Sequence, residues 1–152
     1  MTEDVTIRKM RIEDYDQVKK LWMTIRGFGI RTIDDSKEGV ERFIRRNPAT
    51  SIIAEKDGEV IGTILCGHDG RTACFYHVCV KTEHRRKGIG KAMAVEAMLE
   101  LQKEHINKIS LVAYKNNEVG NQFWHGFGWV LREDLNTYDF PLNDENITNF
   151  IQ

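Results

Sequence analysis

Apolar and polar positions along the chain alternate between two spacings, and the switches mark the elements. Val5 to Lys9 alternates like a short strand. Tyr15, Val18, Leu21, Trp22 and Ile25 then recur at helical spacing, predicting a helix opened by Glu13-Asp14 and broken by Gly27 and Gly29. Arg26 to Ser36 reads as a loop. A second helix over Lys37–Arg46, with Ser36 as N-cap and Val40, Phe43 and Ile44 inward, is stopped by Asn47-Pro48. Three strands follow at Ser51–Glu55, Val60–Cys66 and Ala73–Val80. The turns Asp57-Gly58 and Gly67–Gly70 join them into an antiparallel meander. A long helix is predicted from Gly88 to His105, with Glu96, Glu100, Lys103 and Glu104 as its solvated stripe and Ala92, Val95, Ala97, Met98, Leu99 and Leu101 covering the rest. Lys108–Tyr114 reads as a strand parallel to the one before that helix. Asn116-Asn117 caps a last helix, ended by Gly126 and Gly128. Trp129–Arg132 and Thr137–Phe140 read as two final strands, and the residues from Asn143 as loose chain or a short helix.

The chemistry concentrates after the strand Phe75–Val80. There the chain reads TEHRRKGIGKAMAVEAML from Thr82 to Leu99: a polar turn loaded with cations and glycines, then a helix. The first amides of a helix lack internal partners, its dipole favours negative charge there, and glycine lets backbone approach a ligand. Arg85, Arg86, Lys87, Gly88, Ile89, Gly90 and Lys91 thus predict a pyrophosphate cradle. The Walker pattern is absent, and the dinucleotide G-x-G-x-x-G fails because Met93 stands where its third glycine belongs.

Composition narrows the ligand. In 152 residues, the length of one domain, the net charge is −1, so the basic cluster is local and favours a small anion over nucleic acid or membrane. Three cysteines, Cys66, Cys74 and Cys79, lack metal-ligand spacing and predict reduced thiols packed in a sheet, with no metal site. The N-terminal MTEDVTIRKM has no apolar region of a signal peptide, and no apolar run is long enough for a membrane span, so a cytoplasmic setting is expected.

The run Arg85-x-x-Gly88-x-Gly90 between strand and helix resembles the acetyl-CoA loop of the GNAT acyltransferases, [QR]-x-x-G-x-[GA]. The element order β-α-α-β-β-β-α-β-α-β-β, from about Val5 to Phe140, is similar to their whole fold and looks closest to small bacterial members such as the ribosomal-protein N-terminal alanine acetyltransferases. The resemblance implies an α/β (α+β) GNAT fold: a mixed, mostly antiparallel central sheet flanked by helices, with the fourth and fifth strands splayed. It also implies that Val78, Cys79 and Val80 offer backbone groups to the pantetheine arm of acetyl-CoA. A second signature, N-x-x-A-x-x-[LF]-Y, is matched by Asn117 and Phe123, with Gly120 in place of Ala and Trp124 in place of Tyr.

The implied activity is direct acetyl transfer from acetyl-CoA to a primary amine, on a small molecule or a protein N-terminus, in a ternary complex. The amine needs a base, and the family's glutamate positions hold Val112 and Cys74 here. His77, on the fourth strand, is the candidate base, since an imidazole titrates near neutral pH; it can equally be a hydrogen-bonded sheet histidine. Tyr76, Tyr114 and Glu83 are weaker options; Trp124, at the position of the family's tyrosine, either orients the leaving sulfur, which then takes its proton from water or a neighbour such as Tyr114, or is a core residue of its helix beside Phe123 and Phe127. His68-Asp69 looks like a catalytic pair but fits turn chemistry. The alternative to an enzyme is a catalytically weak acyl-CoA-binding sensor or partner module. An edge strand near the C-terminus could pair to make a homodimer.

Overall fold

The computed structural model describes residues 4–152. Met1, Thr2 and Glu3, part of the N-terminal reading above, lie outside the described residues. Strand β1 (Val5–Lys9) leads through a short 3-10 turn into α1 (Tyr15–Trp22), then β2 (Gly29–Arg31) and α2 (Lys37–Arg46). Strands β3 (Ile52–Lys56), β4 (Glu59–His68) and β5 (Ala73–Val80) form the meander. Helix α3 (Ile89–Lys103), β6 (Ile109–Ser110), α4 (Glu118–Phe127) and β7 (Thr148–Phe150) complete the chain. The main sheet runs β1-β3-β4-β5-β6, antiparallel except for the parallel β5–β6 pair, and β2 and β7 make a separate two-stranded sheet.

Local chemistry explains most boundaries. Asp57 (φ 52°) and Gly58 (φ 78°) both take the left-handed region, as a two-residue hairpin requires. The Ser36 hydroxyl accepts the Gly39 amide at 3.0 Å to start α2. One core cluster fills the space between the sheet and α3 with Ile52, Ile61, Ile64, Phe75, Met93 and Leu101. A second joins the sheet to α1 and α2 through Val18, Trp22, Val40, Ile53 and Cys79. No helix among the described residues is long and apolar enough to cross a membrane.

The structure departs from the sequence reading in five places. Glu100 is buried at 7% exposure rather than solvated, because it bridges Lys103 Nζ (2.9 Å) and Lys9 Nζ (3.5 Å), while Val95 and Leu99 are exposed. The strand expected over Lys108–Tyr114 pairs only at Ile109 and Ser110. The loop Arg26–Ser36 contains β2. The residues after Asn143, expected to be loose or helical, return as β7 to pair with it. Trp129–Arg132 and Thr137–Phe140 form no strands; residues 130–140 are exposed and pair with no other segment.

The register between β4 and β5 slips midway. Thr63 faces Cys79 and Leu65 faces Tyr76, so Ile64 alone opposes His77 and Val78. This is a β-bulge, and His77 sits in it with φ 48°. Three hydrogen-bonded groups brace it: Trp22 Nε1 donates to Thr63 Oγ1 at 3.0 Å, and Thr63 Oγ1 donates to the His77 carbonyl at 2.8 Å. Replacing Thr63 by Val should lower unfolding free energy by about 1–3 kcal/mol, the cost of leaving a buried donor unpaired. Urea denaturation of the two proteins checks it, with no loss counting against the brace.

Candidate active site

Strand β5 carries the site along its length. Beyond its C-terminal end lies the basic loop. Arg86 (φ 63°) and Gly88 (φ 81°) are both left-handed, which folds the backbone sharply before α3. The first intrahelical bond runs from the Ala92 amide to the Gly88 carbonyl, so the amides of Ile89, Gly90 and Lys91 precede the helical ladder. A Cβ placed on Gly88 would meet no atom of the chain within 4 Å, and one on Gly90 would touch only Phe123 and Val80 at 3.4–3.8 Å. The loop is therefore an open concave backbone at a helix start, ringed by cations.

Individual side chains there divide the work. Arg85 Nε donates to the Val80 carbonyl at 2.9 Å, fastening the loop to the end of β5. Ile89 is buried in the α3 core, so only its backbone faces outward. Lys91 Nζ lies 5.3 Å from the centre of the Phe127 ring, a cation–π contact that ties α3 to α4. Arg86 and Lys87 are exposed. These residues suit a diphosphate: backbone amides and positive charge converge on space the chain leaves open.

The other side of β5 is unpaired over most of its length. Its parallel contact with β6 ends after Ala73–Ile109 and Cys74–Ser110, and residues 111–114 leave the sheet. This is the splay, and it exposes a strand edge beside Val78, Cys79 and Val80 to an amide-bearing chain. At the N-terminal end of β5, a cleft of about 340 Å³ lies between β5 and the end of α2, lined by Phe43, Arg46, His68, Cys74, Tyr76 and Ser110. It stands at the opposite end of β5 from the glycine loop, and the bulge lies between the two.

The bulge changes which face of β5 each side chain takes. Ala73, Phe75, Val78 and Val80 pack toward α3, whereas Tyr76, His77 and Cys79 all turn toward α1 and α2. His77 Nε2 and Asp35 Oδ1 are 2.9 Å apart, with side chains 11% and 5% exposed. Asp35 is itself held, since its Oδ2 accepts the Arg31 amide at 2.7 Å and its carbonyl accepts the Tyr15 hydroxyl at 2.6 Å. The imidazole lies between Trp22 (4.6 Å between centroids) and Phe28 (5.2 Å, stacked). The carboxylate is the natural acceptor, so Nε2 carries the hydrogen of the neutral ring and Nδ1 keeps the lone pair.

The remaining candidates fall away from this centre. Tyr76 is half exposed, set edge-on to Phe43 at 5.9 Å; burial and the neighbouring Cys74 push its phenol up to about 12, so it stays protonated. Burial pushes the Cys79 thiol up to about 11 and Cys66 to about 12, and raises Cys74 too, which disfavours a cysteine nucleophile. Tyr114 is exposed and packs edge-on to Phe150 at 5.8 Å. Asn117 Oδ1 accepts the Gly120 amide at 3.0 Å as the cap of α4, and a Cβ on Gly120 would meet the Asn117 side chain at 2.5 Å. Trp124 packs within an aromatic cluster, 4.7 Å from Trp129, 4.8 Å from Phe123 and 6.2 Å from Phe75. The Asp69 carboxylate accepts the Arg71 and Thr72 amides, which hold its pKa low, and His68 Nδ1 accepts the Gly70 amide: turn chemistry, as expected. Among the described residues no group of His, Cys, Asp and Glu is arranged to hold a metal.

Asp35 and the Trp22–Thr63 brace were missed in the sequence. Nothing in the local pattern links residue 35 to residue 77; Asp35 reads only as one of two acids before the Ser36 cap.

Comparison with known proteins identifies the family and the fold. The profile of the acetyltransferase (GNAT) family matches residues 15–129. A curated acetyltransferase of Sodalis glossinidius (strain morsitans) is 30% identical over 112 residues, 74% of this chain and 78% of that protein. Among solved structures, the PaiA N-acetyltransferase of Thermoplasma acidophilum in complex with coenzyme A superposes with a TM-score of 0.72 at 20% identity, covering 97% of each chain. A ribosomal-protein-alanine N-acetyltransferase from Brucella melitensis biovar Abortus 2308 does so at 0.65 and 18%, covering 91% of this chain and 99% of that one. The chain belongs to the GNAT acetyltransferase family. It is an acetyl-CoA-dependent N-acetyltransferase, and acetyl-CoA is its acyl donor.

Three outcomes follow from the site. Gly88→Val should weaken acetyl-CoA binding at least tenfold in a protein that still folds, because a side chain would enter the open cradle at φ 81°. Wild-type affinity should also fall as salt rises. Calorimetry decides both, and unchanged affinity in the variant together with a flat salt response would remove the loop as the anchor. Trp124→Phe should keep acetyl-CoA binding and most of the turnover, since the indole acts here by packing. Abolished turnover with intact binding would give its N–H a direct part.

Proposed function

We propose that this enzyme acetylates a primary amine by direct attack in a ternary complex, with His77 as the base and Asp35 as the residue that positions it. The arrangement along β5 carries the reading: the glycine loop at one end, the cleft at the other, and the bulge between them. Arg85 to Lys91 and Asn117, with the backbone of Val78, Cys79 and Val80, would hold acetyl-CoA, which supplies an acyl group activated as a thioester.

The chain's own residues do the rest. The amine enters from the cleft beside Tyr76 and loses a proton to His77 Nδ1, while Asp35 keeps the ring oriented and stabilises the charge it gains. Backbone N–H groups near Val80, on the unpaired edge of β5, orient the thioester carbonyl. Trp124, at the position of the family's tyrosine, would orient the departing sulfur, with Tyr114 as a neighbouring proton source; a thiolate can leave without full protonation. The acceptor class is a small amine or a protein N-terminus. Two core clusters on one shared sheet support reading residues 1–152 as one catalytic domain, and the three free thiols support a reducing, cytoplasmic setting.

His77→Ala should reduce kcat by about 10²–10⁴-fold with acetyl-CoA affinity unchanged. A base works deprotonated, so wild-type activity falls as pH drops, and the variant should lose that acidic limb. Asp35→Asn should show a smaller loss in kcat and a displaced limb. An unchanged pH–rate profile in His77→Ala would assign His77 to structure alone. A panel of amines, aminoglycosides and N-terminal peptides, scored by acetyl-CoA consumption, separates the enzyme from a sensor that binds acetyl-CoA and leaves every amine untouched.

A further inference from the structure

The cleft at the N-terminal end of β5 has an aromatic floor. Gly67 makes room for it: a Cβ there would meet the Phe43 ring at 2.8 Å and the Asn47 amide nitrogen at 2.9 Å. Tyr76 stands edge-on to Phe43 at 5.9 Å. Asn47 fixes the wall between α2 and the sheet, because its Oδ1 accepts the His68 amide at 3.0 Å and its Nδ2 donates to the Phe43 carbonyl at 3.3 Å. The volume, about 340 Å³, is that of a small-molecule site. Charge at the cleft is one-sided once partners are counted. Asp69 Oδ1 accepts the Arg71 and Thr72 amides at 2.8 and 2.9 Å, and Glu104 Oε1 lies 3.7 Å from His68 Nε2. Asp34 Oδ2 accepts from Asn146 Nδ2 at 2.8 Å, and its action on the Tyr76 phenol is opposed by Arg31. Each carboxylate at the cleft thus has a partner. Arg46 lines the cleft from the last turn of α2, and among the described residues its guanidinium has no hydrogen bond or ion pair.

We propose that the acceptor is a small primary amine with a carboxylate several bonds from its nitrogen, an ω-amino acid in chemical class, and that Arg46 takes the carboxylate. The inference rests on the reading of His77 as the base at the same site. Tyr76 lines the cleft, and the bulge turns its neighbour His77 to the same face of β5. Tyr76 to Val78 is two residues, about 7 Å of extended strand. A molecule lying along β5 with its amine at the bulge therefore has its other end in the cleft, several bonds away. Phe43 and Tyr76 cover the apolar stem between the two ends. A guanidinium holds a carboxylate through two parallel hydrogen bonds, and the hydroxyls of Tyr76 and Ser110 add donors beside it. The same cation repels a second ammonium group, which selects against polyamines and aminoglycosides.

Rates of acetyl-CoA consumption with 6-aminohexanoate and with pentylamine, the same molecule less its carboxylate, test this. The two amines are nearly equally basic, so the difference reads the carboxylate. Wild-type kcat/KM should be at least about tenfold higher for 6-aminohexanoate than for pentylamine, or for glycine, whose two groups stand too close. Arg46→Ala should erase that preference by raising KM for 6-aminohexanoate, with pentylamine unchanged. A wild-type kcat/KM as high for pentylamine, glycine or an aminoglycoside overturns the inference and leaves the role of His77 standing. So does acetylation of N-terminal peptides alone. A preference that survives in Arg46→Ala overturns it too. Acetylation of no amine at all removes this inference and the enzyme reading together. The wild-type comparison decides even if the variant misfolds.

Discussion

The site depends on one extra residue in β5. Alternation along an unbroken strand would send His77 toward α3 with Ala73 and Phe75, into the apolar core, where an imidazole has no partner. The bulge returns it to the face of α1 and α2 beside Tyr76, where Asp35 lies 2.9 Å away. A left-handed φ at a non-glycine residue costs of order 1–3 kcal/mol and persists only where the surroundings over-determine it. Here they do: Thr63 holds the His77 carbonyl, Trp22 holds Thr63, and Trp22 and Phe28 bracket the ring. Strain, hydrogen bonds and aromatic packing therefore settle on the same conformer.

The second dependence is the end of pairing on the other side of β5. Two parallel pairs fix β6 at Ala73 and Cys74, and beyond them the strands separate. Helix α3 sets this up, because it must start at Ile89, just past the glycine loop, and return the chain to the N-terminal end of β5. The same crossover that makes the strands parallel therefore puts the helix start and the unpaired strand edge at one end of the gap. A diphosphate and an amide-bearing arm need those two features together.

Much of this was legible in the sequence, for physical reasons that differ by element. The hairpin at Asp57-Gly58, the Ser36 and Asn117 caps and the buried face of α1 are set by neighbours a few residues apart, and each stands as read. The glycine loop was legible because it joins a strand and a helix with a composition few structures need. Glu100 was misread because helical spacing shows which residues share a stripe, not whether a lysine from β1 waits beside it. Asp35 was invisible for the same reason at longer range, since its partner is 42 residues away. The strands expected over Trp129–Phe140 had the right residues, but a strand is a pairing, and within one chain nothing stands beside them.

The brace around the bulge also shapes how such a chain can vary. Trp22 comes from α1, Thr63 from β4, His77 from β5 and Asp35 from the loop before α2, yet each contact presupposes the others. A lineage that lost Thr63 would leave the Trp22 indole without an acceptor; one that lost Asp35 would leave the His77 Nε2 without its hydrogen-bond partner. Such positions drift only in concert. The four residues form an epistatic unit whose members are scattered across fifty-six positions of sequence, from Trp22 to His77.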